Sequence, residues 1–280
     1  MLVLTTPDDM RAWSRRRIEA GERIGVVPTM GALHGGHLAL IRAIRDRVDV
    51  VVVTIFVNPL QFNQPADFDR YPRPIDDDLA TCTDAGVDAV YAPTAATMYP
   101  QGFQTTVEPG DLAQRLEGPM RPGHFRGVTT VVTKLFGAVR PDVAAFGQKD
   151  FQQLAIVRRM VSDLDLGVEV VSVPIVREPD GLAHSSRNVR LTPTGRAAAP
   201  VLSRALRRAA AAFGDGEREA DRLCAIVTDE IGREGEAALE YVEVVDALTL
   251  ESVDRAQQPT AILVAAWFGD VRLIDNVVLQ

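Results

Sequence analysis

Near the N-terminus, a short apolar segment is followed by Pro28-Thr29-Met30-Gly31-Ala32-Leu33-His34-Gly35-Gly36-His37. Residues 24–27 predict a strand, and the spacing of Leu38, Ile41 and Ile44 predicts a helix directly after the histidines. A glycine-rich turn lets the backbone approach a phosphate, and the helix N-terminus adds unpaired amides and partial positive charge. Imidazoles at this position can donate to oxygens that gain charge during a reaction. The stretch therefore predicts an α/β unit that receives a nucleotide phosphate.

The following segments predict the fold around this unit. Residues 49–57 are almost continuously apolar, which is typical of a strand buried on both faces. Further strands are predicted at 89–91, 143–146 and 168–176, and they alternate with helices predicted at 7–21, 75–85, 129–139 and 151–164. Such alternation indicates an α/β fold with a Rossmann-like, mostly parallel sheet flanked by helices. Ligands are expected outside the carboxyl ends of the strands.

The pattern changes from Thr192 onward. Two helices are predicted at 195–213 and 218–232, and three strands at 239–245, 261–267 and 271–278, the last two joined by a hairpin turn at 268–270. Antiparallel strands with helices indicate a smaller C-terminal α+β domain. We place the domains at 1–176 and 177–280, with residues 177–181 as the hinge.

Composition limits the possible functions. The chain has 280 residues, 46% of them hydrophobic, and a formal net charge of -8. This acidic balance argues against nucleic-acid binding, which depends on clustered Lys and Arg. The apolar run 50–57 is too short to span a bilayer, and the first residues lack a secretory signal, so a cytoplasmic protein without membrane contact is expected. Cys82 and Cys224 have no metal-ligand spacing and are expected to be reduced thiols.

Four polar segments follow or separate apolar elements, at residues 58–62, 120–127, 146–153 and 184–188. Asn58 and Gln61 could hold a small polar substrate without adding charge. Arg121 could bind a carboxylate or phosphate, and Lys149 is a point charge suited to phosphate.

Structural explanations stay open for several of these residues. Asn58 could cap the end of the strand, Arg121 could form a surface salt bridge, and Asp150 could be an acid favoured by the helix dipole. Asp76, Asp77 and Asp78 could be metal ligands, but a charged helix start explains them equally well. His34 and His37 lack the neighbouring carboxylate and four-residue spacing of helical zinc pairs, which favours phosphate contact.

Together these motifs resemble a known family. The His-x-Gly-His pattern with a later Ser/Arg loop is similar to the nucleotidylyltransferase superfamily, which includes class I aminoacyl-tRNA synthetases. Within it, the chain resembles the pantothenate synthetase (pantoate–β-alanine ligase) family over nearly its full length. The motifs that carry the resemblance stand in the family's order: 28–37, 56–62, Tyr71-Pro72-Arg73, 121–127, 147–153 and Ser185-Ser186-Arg187-Asn188.

The resemblance implies that ATP and pantoate form pantoyl adenylate with release of pyrophosphate, and that β-alanine then displaces AMP to give pantothenate. It implies that His34 and His37 contact the ATP phosphates, with His37 as proton donor. The remaining ATP site would comprise Met30–Leu33, Gly35, Gly36, Gly147, Gln148, Lys149, Asp150, Val176, His184, Ser185, Ser186 and Arg187, of which Lys149, Ser185, Ser186 and Arg187 support the phosphates and pyrophosphate.

For the second substrate, the resemblance implies that Gln61 and Gln153 hold pantoate, with Asn58, Tyr71 and Arg121 as further pocket residues. Mg²⁺ is expected to arrive on the ATP phosphates, without an assigned protein ligand. A homodimer is also implied.

Two positions depart from the family pattern, Gly35 where glutamate is more common and His184 where an apolar residue usually precedes the serines.

Two rival functions remain. A nucleotidyltransferase with a phosphorylated acceptor is disfavoured by the neutral Gln61 and Gln153. A non-catalytic nucleotide-binding module is disfavoured because the chain has both histidines, Lys149 and the Ser-Ser-Arg loop.

Overall fold

The computed structural model describes residues 1–279. Contacts between Cα atoms divide the chain into two compact units. The first contains Met1–Gln148 and Gln152–Pro174, and the second contains Lys149–Phe151 and Ile175–Gln280. Residues 177–181, which we expected to form the hinge, lie within the second unit, where Arg177 and Ala183 form an antiparallel bridge.

The first unit is built on a parallel sheet of six strands. The strands are β1 (Leu2–Leu4), β2 (Ile24–Thr29), β3 (Val50–Ile55), β4 (Ala89–Tyr91), β5 (Val143–Gly147) and β6 (Glu169–Val173). Their spatial order is β1-β4-β3-β2-β5-β6, and every pairing is parallel. The order reverses between β2 and β5, so the carboxyl ends of these two strands flank the crevice where α/β sheets bind ligands.

Helices connect the strands. They are α1 (Pro7–Glu19), α2 (Gly35–Arg45), α3 (Pro65–Arg70), α4 (Ile75–Asp84), α5 (Ala95–Met98), α6 (Glu117–Met120), α7 (His124–Val139) and α8 (Phe151–Asp163), and short 3₁₀ turns lie at Pro59–Gln61 and Asp111–Gln114. No helix within residues 1–279 is long and apolar enough to cross a membrane.

The sheet is buried on both faces, as the continuous apolar strands predict. Successive residues of β3 alternate between two cores: Val50 and Val52 pack with α1 and α7, whereas Val51 and Val53 pack with α2. A Cβ on Gly25 of β2 would lie 2.9 Å from Ile44 Cδ1, so glycine permits the close approach of α2 to the sheet. The predicted α/β fold is confirmed.

The second unit has its own core. Its helices α9 (Pro193–Ala198), α10 (Val201–Gly214) and α11 (Ala220–Gly232) precede a three-stranded antiparallel sheet in the order β7 (Ala237–Asp246), β8 (Thr260–Phe268), β9 (Val271–Leu279). Residues of α10, α11 and the sheet bury one apolar cluster that includes Leu202, Leu206, Leu223 and Ile262. This is the predicted α+β arrangement.

Several element bounds differ from the predictions for local reasons. The helix predicted at 195–213 is broken, because Pro200 cannot supply the amide of a helix interior. The strand predicted at 168–176 ends at Val173, before Pro174. The helix predicted at 129–139 begins earlier, at His124, after Gly123 in the left-handed conformation with φ 77°. β1 was not predicted, because its three apolar residues, Leu2–Leu4, are too few to show a periodicity.

Candidate active site

The two histidines form the start of α2. His34 is the N-cap residue, and its Nδ1 accepts a hydrogen bond from the Gly36 amide at 3.1 Å. The His37 Nδ1 in turn accepts from the His34 amide at 3.2 Å, which completes a reciprocal capping box. The ring centroids lie 4.2 Å apart. Because each Nδ1 accepts, each neutral ring carries its proton on Nε2 and can donate from that atom to a ligand.

The loop before the histidines is held by a carboxylate. Asp78 lies in the first turn of α4, is 2% exposed, and accepts from the Ala32 amide at 2.8 Å and from the Leu33 amide at 2.7 Å. Burial raises the pKa of the Asp78 carboxyl, and the two backbone hydrogen bonds oppose that shift. Gly31 and Ala32 both have positive φ, 78° and 51°. Asp78 thus stabilises an unusual backbone conformation immediately before α2.

Asp78 is a residue whose role the sequence reasoning missed. Asp76 and Asp77 are exposed, as a charged helix start predicts, but Asp78 faces the interior. The available signal was its position four residues before Cys82, which is also buried and therefore shares the inner face of α4. An acid on an apolar helix face indicates a buried hydrogen-bond partner elsewhere in the chain.

A threonine pair joins the loop to the sheet. Thr29 Oγ1, at the end of β2, donates to the Thr54 carbonyl of β3 at 2.6 Å and accepts from the Gly31 amide at 3.1 Å. Thr29 and Thr54 are both buried. The loop from Gly31 to His37 is therefore fixed at its start by β3, in its middle by Asp78 and at its end by the capping box.

Asn58 and Gln61 form a buried amide pair after β3. Asn58 Oδ1 accepts from the Leu60 amide at 3.2 Å and from the Tyr99 hydroxyl at 2.7 Å. Its Nδ2 donates to Gln61 Oε1 and to the Gly127 carbonyl, both at 3.0 Å. These four bonds satisfy the whole carboxamide of Asn58. The geometry thus matches the structural alternative for Asn58, a cap at the strand exit, and adds a contact with Gln61.

Gln61 links this pair to the histidine loop. Its Nε2 donates to Met30 Sδ at 3.1 Å, and its carbonyl oxygen lies 2.7 Å from Nδ1 of the buried His124. A Cβ on Gly127 would lie 2.4 Å from the Leu60 carbonyl oxygen, so α7 packs directly against the 3₁₀ turn. The structure therefore brings together the predicted segments 30–37, 58–62 and 120–127.

The other predicted pocket residues of the first unit are Tyr71, Arg121 and Gln153. Tyr71 is 7% exposed, and its ring makes a T-shaped contact with that of Phe62, with centroids 5.7 Å apart. Arg121 is half-buried at the end of α6, where its amide donates to the Gly118 carbonyl at 3.1 Å. Gln153 is half-buried. Its neighbour Gln152 has a structural role, because its side chain forms hydrogen bonds with backbone atoms of Leu112, Arg115 and Glu117.

At the switch point, β5 ends at Gly147, and the Gln148 amide donates to the Val173 carbonyl of β6 at 2.8 Å. The next residue, Lys149, belongs to the second unit. There its carbonyl accepts from Asn276 Nδ2 of β9 at 2.9 Å.

The serine loop of the second unit is a turn anchored by its own backbone. The His184 amide donates to the Val176 carbonyl at 3.0 Å, and Ser185 Oγ accepts from the Arg187 amide at 3.2 Å. Asn188 fixes the end of the turn, since its Nδ2 donates to Glu178 Oε1 at 3.0 Å and to the Ala183 carbonyl at 3.1 Å. The residues predicted at 184–187 are all half-buried.

Neither cysteine is a candidate nucleophile. Burial raises the pKa of both Cys82 and Cys224 to about 11, and the charge of Asp78 adds to the shift of Cys82. Both residues are free thiols. At neutral pH they are protonated, so the site offers no thiolate for covalent catalysis.

The loop after β2 leads from the switch point of a parallel sheet into a helix capped by a histidine, and a neutral amide pair lies beside this loop. These features define an α/β enzyme of the nucleotide-binding class. A family model described as pantoate–beta-alanine ligase matches residues 2–278. The chain therefore belongs to the pantoate–β-alanine ligase family, and its activity is the ATP-dependent joining of pantoate to β-alanine.

Comparison with individual relatives gives the same family. The chain is 53% identical to the pantothenate synthetase of Heliobacterium modesticaldum over 280 residues, which is 100% of both proteins. It superposes on the crystal structure of pantothenate synthetase from Thermus thermophilus with a TM-score of 0.95 and 44% identity, covering 100% of both chains. A Francisella tularensis pantoate-beta-alanine ligase complexed with beta-gamma ATP and beta-alanine gives a TM-score of 0.82 and 33% identity, covering 99% of this chain and 97% of that one. The family, fold and activity predicted from the sequence are confirmed.

Proposed function

We propose that this enzyme makes pantothenate through a bound pantoyl adenylate. In the first step a carboxylate oxygen of pantoate attacks the α-phosphorus of ATP, the bond to the β-phosphate breaks, and pyrophosphate leaves. In the second step the β-alanine amine attacks the acyl carbon, the bond to AMP breaks, and the amine loses a proton. A mixed anhydride is a good acyl donor, so the reaction requires positioning and charge stabilisation rather than a protein nucleophile.

The observation that carries this proposal is the orientation of the two imidazoles. Their Nδ1 atoms accept from backbone amides, so the proton of each neutral ring is on Nε2 at the N-terminus of α2. In the proposed first step these donors bind the ATP phosphates, and His37 acts as proton donor to the leaving pyrophosphate. The positive end of the helix dipole favours the same negative charge.

The remaining ATP contacts are assigned by family resemblance. Met30 to Gly36 form the loop, and Gly147, Gln148, Asp150, Val176 and His184 complete the nucleotide site. Lys149, Ser185, Ser186 and Arg187 support the phosphates and the departing pyrophosphate, for which Lys and Arg supply charge and the hydroxyls supply donors.

Pantoate binds to amides in this proposal. Gln61 and Gln153 hold it, and Asn58, Tyr71 and Arg121 belong to its pocket. The Nε2 of Gln61 already donates to Met30 of the histidine loop, which supports a substrate position beside that loop. Neutral amides suit a small monocarboxylate better than a doubly charged phosphorylated acceptor.

Further expectations from the sequence remain part of the proposal. Mg²⁺ would enter on the ATP phosphates and neutralise part of their charge, and no protein ligand is assigned to it. The enzyme acts as a homodimer in the cytoplasm, and it binds no nucleic acid or membrane. Residues 1–176 form the nucleotide- and pantoate-binding domain, with His184, Ser185, Ser186 and Arg187 as the ATP residues outside it.

Exchange of labelled pyrophosphate into ATP tests the two-step route. We expect exchange with pantoate alone and AMP accumulation over many turnovers only after β-alanine is added. Folded protein that shows no pantoate-dependent exchange would contradict the adenylate route.

A further inference from the structure

The carboxamide of Asn58 has only one acceptable orientation. Its Oδ1 faces the Leu60 N–H at 3.2 Å, which can only donate, and its Nδ2 faces the Gly127 carbonyl at 3.0 Å, which can only accept. Exchanging the two ends would lose both bonds and bring like groups together. Asn58 is 1% exposed, so water could not replace them. The backbone therefore decides which end of Asn58 is which.

The orientation of the Asn58 carboxamide determines that of the Gln61 carboxamide. The second hydrogen on Asn58 Nδ2 is donated to Gln61 Oε1 at 3.0 Å. The Oε1 end of Gln61 consequently faces Asn58, and the Nε2 end faces Met30 Sδ at 3.1 Å, in the loop that leads to His34. A glutamine amide without such a partner could present either its oxygen or its NH₂ group to a ligand.

Tyr99 forms the second hydrogen bond to Asn58 Oδ1. Its hydroxyl lies 2.7 Å from Asn58 Oδ1, the shortest of the four contacts of that carboxamide. Burial raises the pKa of the Tyr99 phenol above its ordinary value, so the hydroxyl stays protonated and donates. The ring is fixed between Phe56 and Phe103, with centroid distances of 6.0 and 5.0 Å. Tyr99 comes from the end of α5, and no motif in the sequence marks it.

We propose that Tyr99 is a positioning residue for substrate selection: it holds in place the Asn58 carboxamide, whose orientation the backbone sets, and through Asn58 it keeps the NH₂ group of Gln61 toward the pantoate site. The site then selects a ligand atom that accepts a hydrogen bond, such as a carboxylate or hydroxyl oxygen, and rejects one that can only donate. Tyr99 itself contacts no substrate. This inference rests on the proposed role of Gln61 in holding pantoate.

The test compares two tyrosine variants of the full-length enzyme. Tyr99→Phe removes the shortest of the four hydrogen bonds that hold the Asn58 carboxamide. Tyr91→Phe is the matched control, because the buried Tyr91 hydroxyl has no hydrogen-bond partner among the described residues. We expect Tyr99→Phe to raise the KM for pantoate about tenfold, as for loss of one buried hydrogen bond, with the KM values for ATP and β-alanine unchanged. Tyr91→Phe should leave all three values unchanged.

A double variant separates positioning from a general loss of stability. In the Gln61→Ala background there is no carboxamide to orient, so adding Tyr99→Phe should not raise the pantoate KM further. An effect of the same size in both backgrounds would overturn the inference, and so would a Tyr99→Phe enzyme with the pantoate KM of Tyr91→Phe. If Gln61→Ala raises the pantoate KM and Tyr99→Phe does not, the inference fails while the proposed function stands. A wild-type enzyme without pantoate-dependent exchange overturns both.

Discussion

The His37 Nδ1 accepts a hydrogen bond from the His34 backbone amide at 3.2 Å, so the side chain proposed to act on ATP also caps the helix that carries it. The same contact fixes the tautomer of the ring, with the proton on Nε2. The His34 backbone amide therefore contributes both to the cap of α2 and to the tautomer that the proposed reaction requires.

Replacing His37 with alanine should slow adenylation by roughly 10²- to 10³-fold, the usual effect of removing one transition-state donor. Single-turnover formation of pyrophosphate from ATP and pantoate measures this step directly. Arg42→Ala, at an exposed position on the same helix, is the comparison variant and should retain a rate much closer to wild type. A His37→Ala rate near wild type would remove His37 from the mechanism.

Asp78→Asn should weaken ATP binding. An amide can accept from only one of the Ala32 and Leu33 amides, and its NH₂ group would face the other one, so the loop loses its conformation. We expect the KM for ATP to rise about tenfold with little change in the KM for pantoate. Asp77→Asn, at the exposed neighbouring position, is the control. Equal KM values for ATP in the two variants would show that Asp78 does not position the loop.

Gly127→Ala should destabilise the first unit by about 1–3 kcal/mol, because the new Cβ would overlap the Leu60 carbonyl and force α7 away from the 3₁₀ turn. Gly137→Ala is a control in the same helix. Its Cβ meets nothing within 4 Å, so it should instead stabilise the protein by about 0.5–1 kcal/mol. Urea unfolding of both variants measures the difference. Similar midpoints for the two would contradict the close packing at Gly127.

Glu230→Gln should make the second unit less stable by about 1 kcal/mol at neutral pH. Hydrogen bonds from Arg204 and Arg208 of α10 lower the pKa of the Glu230 carboxyl, and Arg204 Nε lies 2.6 Å from it. A lowered pKa gives stability that is present above the ordinary glutamate value of 4.5 and is lost as the pH falls through the folded value.

The stability difference between wild type and Glu230→Gln should therefore shrink as the pH falls below about 4, which thermal melts across pH can follow. Asp229→Asn, at an exposed position on the same helix, is the control variant. A difference that stays constant from neutral to acid pH would mean that the arginines do not stabilise the Glu230 charge.

The sequence predicted those parts of the fold that depend on local patterns. The apolar residues of β2 and the helical spacing after His37 place the histidine loop at a strand–helix junction, and the structure agrees. The start of α7 was missed, because it depends on the left-handed conformation of Gly123, and a glycine alone does not show whether a helix begins or ends beside it.

Contacts between distant parts of the chain could not be predicted in the same way. Asp78 reaches the Leu33 amide across 45 residues, and Tyr99 reaches Asn58 across 41. Each side chain, taken alone, fits an ordinary structural role: an acid in the first turn of a helix, and an aromatic residue in a core. Only the packing of α4 and α5 beside the sheet ends determines which polar groups they meet.

The most direct test of the central claim, a pantoyl adenylate intermediate, follows the oxygen atoms of pantoate. Pantoate labelled with ¹⁸O in its carboxylate is converted with ATP and β-alanine, and the products are analysed by mass spectrometry. If the carboxylate attacks the α-phosphorus and AMP is then displaced from the acyl carbon, one ¹⁸O atom per turnover is found in AMP. Label in pyrophosphate or inorganic phosphate, or unlabelled AMP beside labelled pantothenate, would contradict the account.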